Sequence, residues 1–220
     1  MIKSILTIGD SFTYGEELEN RDLAWPYYLA KGLKADVVNQ GQPSAGNTGM
    51  VRKAMKYTVT DAPVDLVVVA WSSAGRMEFA DENGTFDIWP GYLGGKFTRD
   101  DQLWRFSVLE YINNYHSPEY LFQQYLINII SLQSFFKTRN QKYIMLDIVG
   151  RDYYKTTYTT KMPQLASLVD PTYFIGWPTE GMAEWTQGCK RGPGGHFLED
   201  GHKKVTTKLY EHIRNFGWLS

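Results

Sequence analysis

Four short runs of this sequence carry residue types that, brought together, can transfer an acyl group. Gly9-Asp10-Ser11-Phe12-Thr13-Tyr14-Gly15 offers a hydroxyl between two glycines, and Ser44-Ala45-Gly46-Asn47 offers a glycine beside a side-chain amide. Trp71-Ser72-Ser73-Ala74-Gly75-Arg76 adds two hydroxyls and a guanidinium, and Gly192-Pro193-Gly194-Gly195-His196-Phe197-Leu198-Glu199-Asp200-Gly201-His202 brings imidazoles near the C-terminus. Acyl transfer needs a hydroxyl nucleophile, a base to take its proton, and donors aimed at the developing oxyanion. Ser11 supplies the first, and the last run brings a histidine for the second. The backbone N–H groups of Ser11 and Gly46 supply the third. Gly9 permits a tight exit from a preceding strand. Asp10 is expected to brace the turn through side-chain-to-backbone hydrogen bonds. Arg76 could hold a carboxylate or an acidic sugar, or simply pair with Glu78 or another acid.

These runs do chemistry only if the fold carries them to one edge. Ile2 to Ile8 reads as a short buried strand ending at Gly9, and Asp36 to Asn39 as a second. Val64 to Trp71 is a continuous apolar run, the pattern of a parallel strand covered on both faces, and Tyr143 to Val149 is a fourth strand. Helical spacing predicts helices over Asp22–Lys34 (Asp22 as N-cap), Thr48–Lys56, Pro118–Arg139 and Asp200–Phe216. A short helix is expected near Pro163 to Leu168. Residues 76–117 are rich in Gly, Asp and aromatics and read as an insert over the carboxyl edge of the sheet. This order predicts a three-layer α/β/α fold, flavodoxin-like, with an open parallel sheet in a single domain spanning 1–220. In such a sheet ligands bind beyond the carboxyl ends of the strands. All four chemical runs fall there or on the loop before the last helix.

Composition excludes other classes. With 23 Lys and Arg against 24 Asp and Glu, the formal net charge is −1, so no basic field for nucleic acid or an anionic membrane exists. Cys189 is the only cysteine, which rules out an intrachain disulfide framework and a multi-cysteine metal site. Its neighbours do not activate a thiol. No metal-ligand spacing, phosphate loop or dinucleotide fingerprint is present, so neither metal nor cofactor is expected. The N-terminal apolar run is too short for a signal peptide, and no stretch is long enough to span a bilayer. A cytoplasmic or virion-associated location is expected. The oligomeric state is not legible.

The first run resembles the opening block of the SGNH (GDSL-type) hydrolases: Gly-Asp-Ser, then a Thr and a Gly, directly after the first strand. Gly46 resembles the second-block glycine. The run from His196 to His202 is similar to the terminal block, with a catalytic His ahead of a structural Gly-His and a helix. The resemblance implies a serine esterase acting through an acyl-enzyme on Ser11, with acetylated carbohydrates, lipids or small acyl esters as substrates. The aromatic insert (Trp89, Tyr92, Trp104, Phe106) favours a glycan ester. The unusual third run resembles SGNH-type proteins of bacteriophages, which implies a virion or tail role. Two departures stand out. The family's Asp three residues before the His is Pro193 here, and its third-block Asn is missing from Ser72-Ser73-Ala74-Gly75. His196 could be oriented by a backbone carbonyl, by Asp200 or Glu199, or by an acid from elsewhere. Alternatively His202 is the base, with Glu199 three residues ahead of it. The absent Asn could be replaced by Asn47, Ser72 or Ser73. Left unfilled, these gaps favour a non-catalytic binding or structural protein on the same fold. An acyltransferase with the same Ser–His pair is the third alternative.

Overall fold

Strand β1 (Ser4–Gly9), β2 (Asp36–Gly41) and β3 (Leu66–Trp71) are followed by an antiparallel hairpin of β4 (Met77–Asp81) and β5 (Gly84–Ile88), then by β6 (Tyr143–Asp147) and β7 (Phe174–Ile175). Five of them form one parallel sheet in the order β2-β1-β3-β6-β7, and among the described residues β4 and β5 pair only with each other. The computed structural model describes residues 2–60, 63–82, 84–88, 108–149 and 153–219, without the side chains of 81, 86, 153, 154 and 156. The aromatic residues Trp89, Tyr92, Trp104 and Phe106 lie outside the described residues.

The alternation of apolar side chains along the strands sorts them onto two helical layers, as the period-2 pleat requires. Leu6, Ile8, Val67, Val69, Trp71, Tyr143 and Met145 face α3 (Asn47–Thr60) and α4 (Pro118–Thr138), packing on Met50, Ala54, Phe122, Tyr125, Ile129 and Phe136. Ile5, Leu66, Val68, Ala70, Ile144 and Leu146 face the opposite layer. That layer holds α2 (Trp25–Leu33) and the last helix (Glu199–Asn215), packing on Trp25, Leu29, Val205, Leu209 and Ile213. Every residue of β3 is buried, as expected for a strand covered on both sides. Short helices Ser11–Tyr14 (α1), Tyr153–Tyr158 (α5), Pro163–Ala166 (α6) and Met182–Trp185 (α7) sit on connections. The last helix is therefore α8. No helix of the described residues is long and apolar enough to cross a membrane.

Some boundaries differ from the sequence expectation for local reasons. Asp22 does not cap α2: it lies in a 3-10 turn, Arg21–Leu23, whose own cap is Asn20. The α2 helix starts at Trp25 with Pro26 in its first turn, where the missing N–H costs nothing. Within the expected insert, the hairpin β4–β5 is folded onto α3, where Glu78 pairs with Arg52 at 2.5 Å. Because β2 and β3 lie on opposite sides of β1, the direction of winding reverses there. The crevice at the carboxyl end of β1 is thus the topological switch point, and Ser11 stands in it.

Candidate active site

β1 ends at Gly9, and Asp10 caps α1 by accepting a 3.0 Å hydrogen bond from the Phe12 N–H. Ser11 is the first residue of this one-turn helix and is 4% exposed. The turn can press against the sheet edge only because two strand ends lack side chains. A Cβ on Gly9 would lie 2.1 Å from the Thr13 Oγ1, and one on Gly41 would lie 2.5 Å from the Tyr14 N. Asp10 is buried and does more than brace the turn. Its Oδ2 accepts from the Ser72 hydroxyl at 2.8 Å and pairs with Arg76 at 3.2 Å. Burial pushes the Asp10 carboxyl above its ordinary value, against the pull of Arg76 and of the Phe12 and Ser72 hydrogen bonds. The acid that Arg76 pairs with is therefore Asp10 rather than Glu78.

His196 comes to Ser11 from the glycine-rich loop ahead of α8. Its Nε2 lies 2.8 Å from the Ser11 Oγ, and its Nδ1 lies 2.9 Å from the Glu17 Oε2. Glu17 also accepts from the backbone N–H groups of Gly194 and His196, the latter at 3.0 Å. The acid that the sequence lacks at Pro193 is thus supplied from just after the first block. The glycines of the loop make room for it. A Cβ on Gly192 would lie 2.7 Å from the Glu17 Oε2, and one on Gly194 would lie 3.0 Å from its Oε1. Partial burial pushes the Glu17 carboxyl up, but the Gly194 amide and the His196 imidazole and amide outweigh it and hold it below the usual range. Glu17 itself adopts φ 67°, a left-handed conformation uncommon for a non-glycine residue. A second carboxylate, Glu16, lies 3.6 Å from the His196 Nε2, and the Phe12 ring packs on the imidazole at 4.6 Å. Glu17 is the acid from elsewhere, and it lies outside any acid-x-x-His spacing. The signal available was Gly-Pro-Gly-Gly, a loop with room for another residue's head group, together with two carboxylates directly after Gly15.

The other candidates for orienting His196 are engaged elsewhere. Asp200 accepts from the backbone N–H groups of Lys190 at 3.0 Å and Gly201 at 2.9 Å. Glu199 accepts from the Tyr28 hydroxyl at 2.6 Å and pairs with Lys203 at 2.6 Å. His202 is buried and accepts at Nδ1 from the Trp25 N–H at 3.1 Å, so it caps α2 in place of a polar N-cap. Burial, reinforced by His196, lowers its pKa to about 3, so the ring stays neutral. Gly201 is close-packed against Phe197, whose Cβ lies 2.6 Å from where a Gly201 Cβ would be.

Of the three expected oxyanion donors, Gly46 and Asn47 are hydrogen-bonded to other groups. The Ser11 N–H sits at the first position of α1, where helical geometry gives it no acceptor. The Gly46 N–H instead donates to the Asp87 Oδ1 on β5 at 2.7 Å. Burial and the neighbouring Glu78 push the Asp87 carboxyl up, against the Gly46 hydrogen bond and the attraction of Lys53 and Arg76. The Asn47 amide does not face Ser11: its Nδ2 donates to the carbonyls of Ser72 at 3.3 Å and Ser73 at 3.0 Å, and its Oδ1 accepts from the Ser72 N–H at 3.0 Å. Asn47 therefore clamps the loop after β3, and the Ser72 hydroxyl is taken by Asp10. Ser73 joins this network through its carbonyl, which also accepts from the Arg76 N–H at 3.1 Å. A cavity of about 420 Å3 lies beyond Glu17, bounded by Leu18, Leu23, Lys190, Leu198 and acidic side chains. Ser11 is not part of its wall, so this cavity is not where an ester would meet the hydroxyl.

The parallel sheet flanked by helices is the fold of solved G-D-S-L-family proteins and carbohydrate esterases. The chain belongs to a family of unknown function, DUF6071, whose model matches residues 13–219. A member of the lipolytic protein G-D-S-L family from Veillonella parvula DSM 2008 superposes with a TM-score of 0.52 at 14% identity, over 95% of this chain and 97% of that one. A carbohydrate esterase family 2 enzyme from Corynascus thermopiles (Myceliophthora fergusii) superposes at 0.58 and 19% identity, over 98% of this chain and 67% of that one. A family two carbohydrate esterase from Clostridium thermocellum, in complex with cellohexaose, superposes at 0.57 and 13% identity, over 99% of this chain and 65% of that one. The chain thus spans about two thirds of these two esterases' length. None of these neighbours is a bacteriophage protein, so the expected phage origin finds no support in them. A search of the curated proteins gave no match.

Proposed function

We propose that the protein is a serine esterase in which Ser11 is the nucleophile, His196 the general base and Glu17 the residue that orients and charge-stabilises the imidazole. The observation that carries this reading is the unbroken hydrogen-bond chain from the Ser11 Oγ through His196 to Glu17, at 2.8 and 2.9 Å. The His196 Nε2 takes the Ser11 proton as Oγ attacks the ester carbonyl. The negative charge then develops at the carbonyl oxygen, beside the Ser11 N–H. The imidazolium, held by Glu17, next delivers its proton to the departing alcohol, which leaves an acyl group on Ser11. Water activated by His196 repeats the sequence and releases the acid. The Asp10–Ser72–Arg76 cluster and the Asn47 clamp hold the turn and the neighbouring loop, so they are support rather than chemistry.

The substrate class we favour is an acetylated carbohydrate or a small acyl ester. The carbohydrate esterases among the structural neighbours support this choice. A binding protein on the same fold is the second reading. It draws on the Asp87 carboxylate seated on the Gly46 amide, whereas the short Ser11–His196 contact speaks against it. Release of acetate from acetylated cello-oligosaccharides, alongside p-nitrophenyl acetate hydrolysis, tests the proposal. Ser11→Ala is expected to lower kcat by at least about 10³-fold. Wild-type turnover that persists in folded Ser11→Ala would refute it.

A further inference from the structure

We infer that the β4–β5 hairpin is a gate on the oxyanion position, in which Asp87 occupies the Gly46 N–H and must withdraw before an ester can be attacked. The inference rests on the esterase reading. A carboxylate oxygen at 2.7 Å from an amide nitrogen is the same kind of acceptor as the oxyanion of a tetrahedral intermediate. One N–H cannot serve both, and two anionic oxygens at one donor repel each other.

The geometry extends beyond this single bond. A Cβ on Gly46 would lie 2.7 Å from the Asp87 Oδ1, 2.9 Å from the Met77 carbonyl carbon and 3.0 Å from the Glu78 N. The missing side chain at Gly46 therefore admits the hairpin backbone against this residue. The closed position is poised rather than locked. Asp87 stands directly opposite Glu78 across the hairpin, and like charges at such a pair are unfavourable. Among the described residues the hairpin makes no strand pairing with the main sheet. Its tie to α3 runs through Arg52, which pairs with Glu78 and reaches the Thr85 hydroxyl at 3.5 Å. Lys53 and Arg76 both attract the Asp87 carboxylate. The fraction of molecules with a free Gly46 amide then scales the apparent activity.

The test is p-nitrophenyl acetate hydrolysis by wild type, Asp87→Ala and Asp87→Asn, with the Gly46 amide followed by ¹H–¹⁵N NMR. Asp87→Ala is expected to raise kcat/KM by about ten- to a hundredfold and to move the Gly46 amide proton upfield. Asp87→Asn, which keeps an acceptor oxygen but loses the charge, is expected to give a smaller rise, so it preserves the test if the alanine variant misfolds. Equal or lower kcat/KM in folded Asp87 variants of an active enzyme overturns the gate and leaves the Ser11 mechanism standing. No hydrolysis by wild type or either variant, all folded, overturns both.

Discussion

Replacing Glu17 by Gln tests the least expected part of the site. Its Oε2 lies 2.9 Å from the His196 Nδ1. When the proton of Ser11 reaches Nε2, the ring becomes a cation with its charge centre about 4 Å from the carboxylate. At an effective dielectric constant near 20 this attraction is roughly 4 kcal/mol. The Glu17 side chain is 15% exposed, so water screens part of it, leaving about 2–3 kcal/mol, or roughly 30- to 150-fold in rate. A Gln amide can also turn its NH2 toward Nδ1 and hold the wrong tautomer, which raises the penalty further. We expect Glu17→Gln to lower kcat about 10²–10³-fold, with a smaller change in KM and a partial recovery in Glu17→Asp. Because Glu17 also anchors the Gly194 and His196 amides, thermal melts must accompany the kinetics. The Glu17 carboxyl is held below its ordinary value, so the wild-type carboxylate stays ionised into the acid range. A folded Glu17→Gln enzyme with kcat within threefold of wild type would show that His196 needs no acid partner.

Gly194→Ala places a methyl about 3.0 Å from the same carboxylate; kcat should fall roughly tenfold or more through displacement of Glu17, while Ser11→Ala/Gly194→Ala adds nothing further. Arg76→Met leaves the buried Asp10 without its cation and should cost about 3–5 kcal/mol of stability, read as a lowered urea midpoint. His202 has a native pKa of about 3 against an ordinary 6.5. Between these values the unfolded chain binds a proton that the native chain does not, so stability falls as pH drops from about 6.5 toward 3, at up to about 1.4 kcal/mol per pH unit. His202→Asn, which keeps an acceptor for the Trp25 N–H but cannot be protonated, should flatten that slope in urea melts between pH 4 and pH 7; an unchanged slope would assign the acid sensitivity to other groups.

Residues with a strong local signature were legible in the sequence. The buried run of β3, the periodic helices α4 and α8, and Gly9, which lets Ser11 follow β1 so tightly, all announce themselves within a few residues. His196 was legible because the order of the chain returns it to the same edge. The unread parts depend on contacts between distant segments. Glu17 reaches a loop 177 residues away at Gly194, so no local spacing marks it. Asn47 looked like a free donor beside Gly46 until the fold brought the Ser72 and Ser73 carbonyls to its amide. The pairing of Asp87 with Gly46 depends on how a hairpin docks on α3, and neither its strands nor its partner had a sequence pattern strong enough to place it. The two-residue β7 is too short to show any period.

The central claim is that Ser11 is an activated nucleophile with His196 as its base. Its most direct test is intact-protein and peptide mass spectrometry after treatment with a fluorophosphonate, on wild type, Ser11→Ala and His196→Ala, each shown to be folded. One phosphonyl adduct is expected in wild type, on the Ser11 Oγ. None is expected in Ser11→Ala, and a strongly slowed one in His196→Ala. Folded wild-type protein that takes up no label, or takes it up equally in Ser11→Ala, would contradict it.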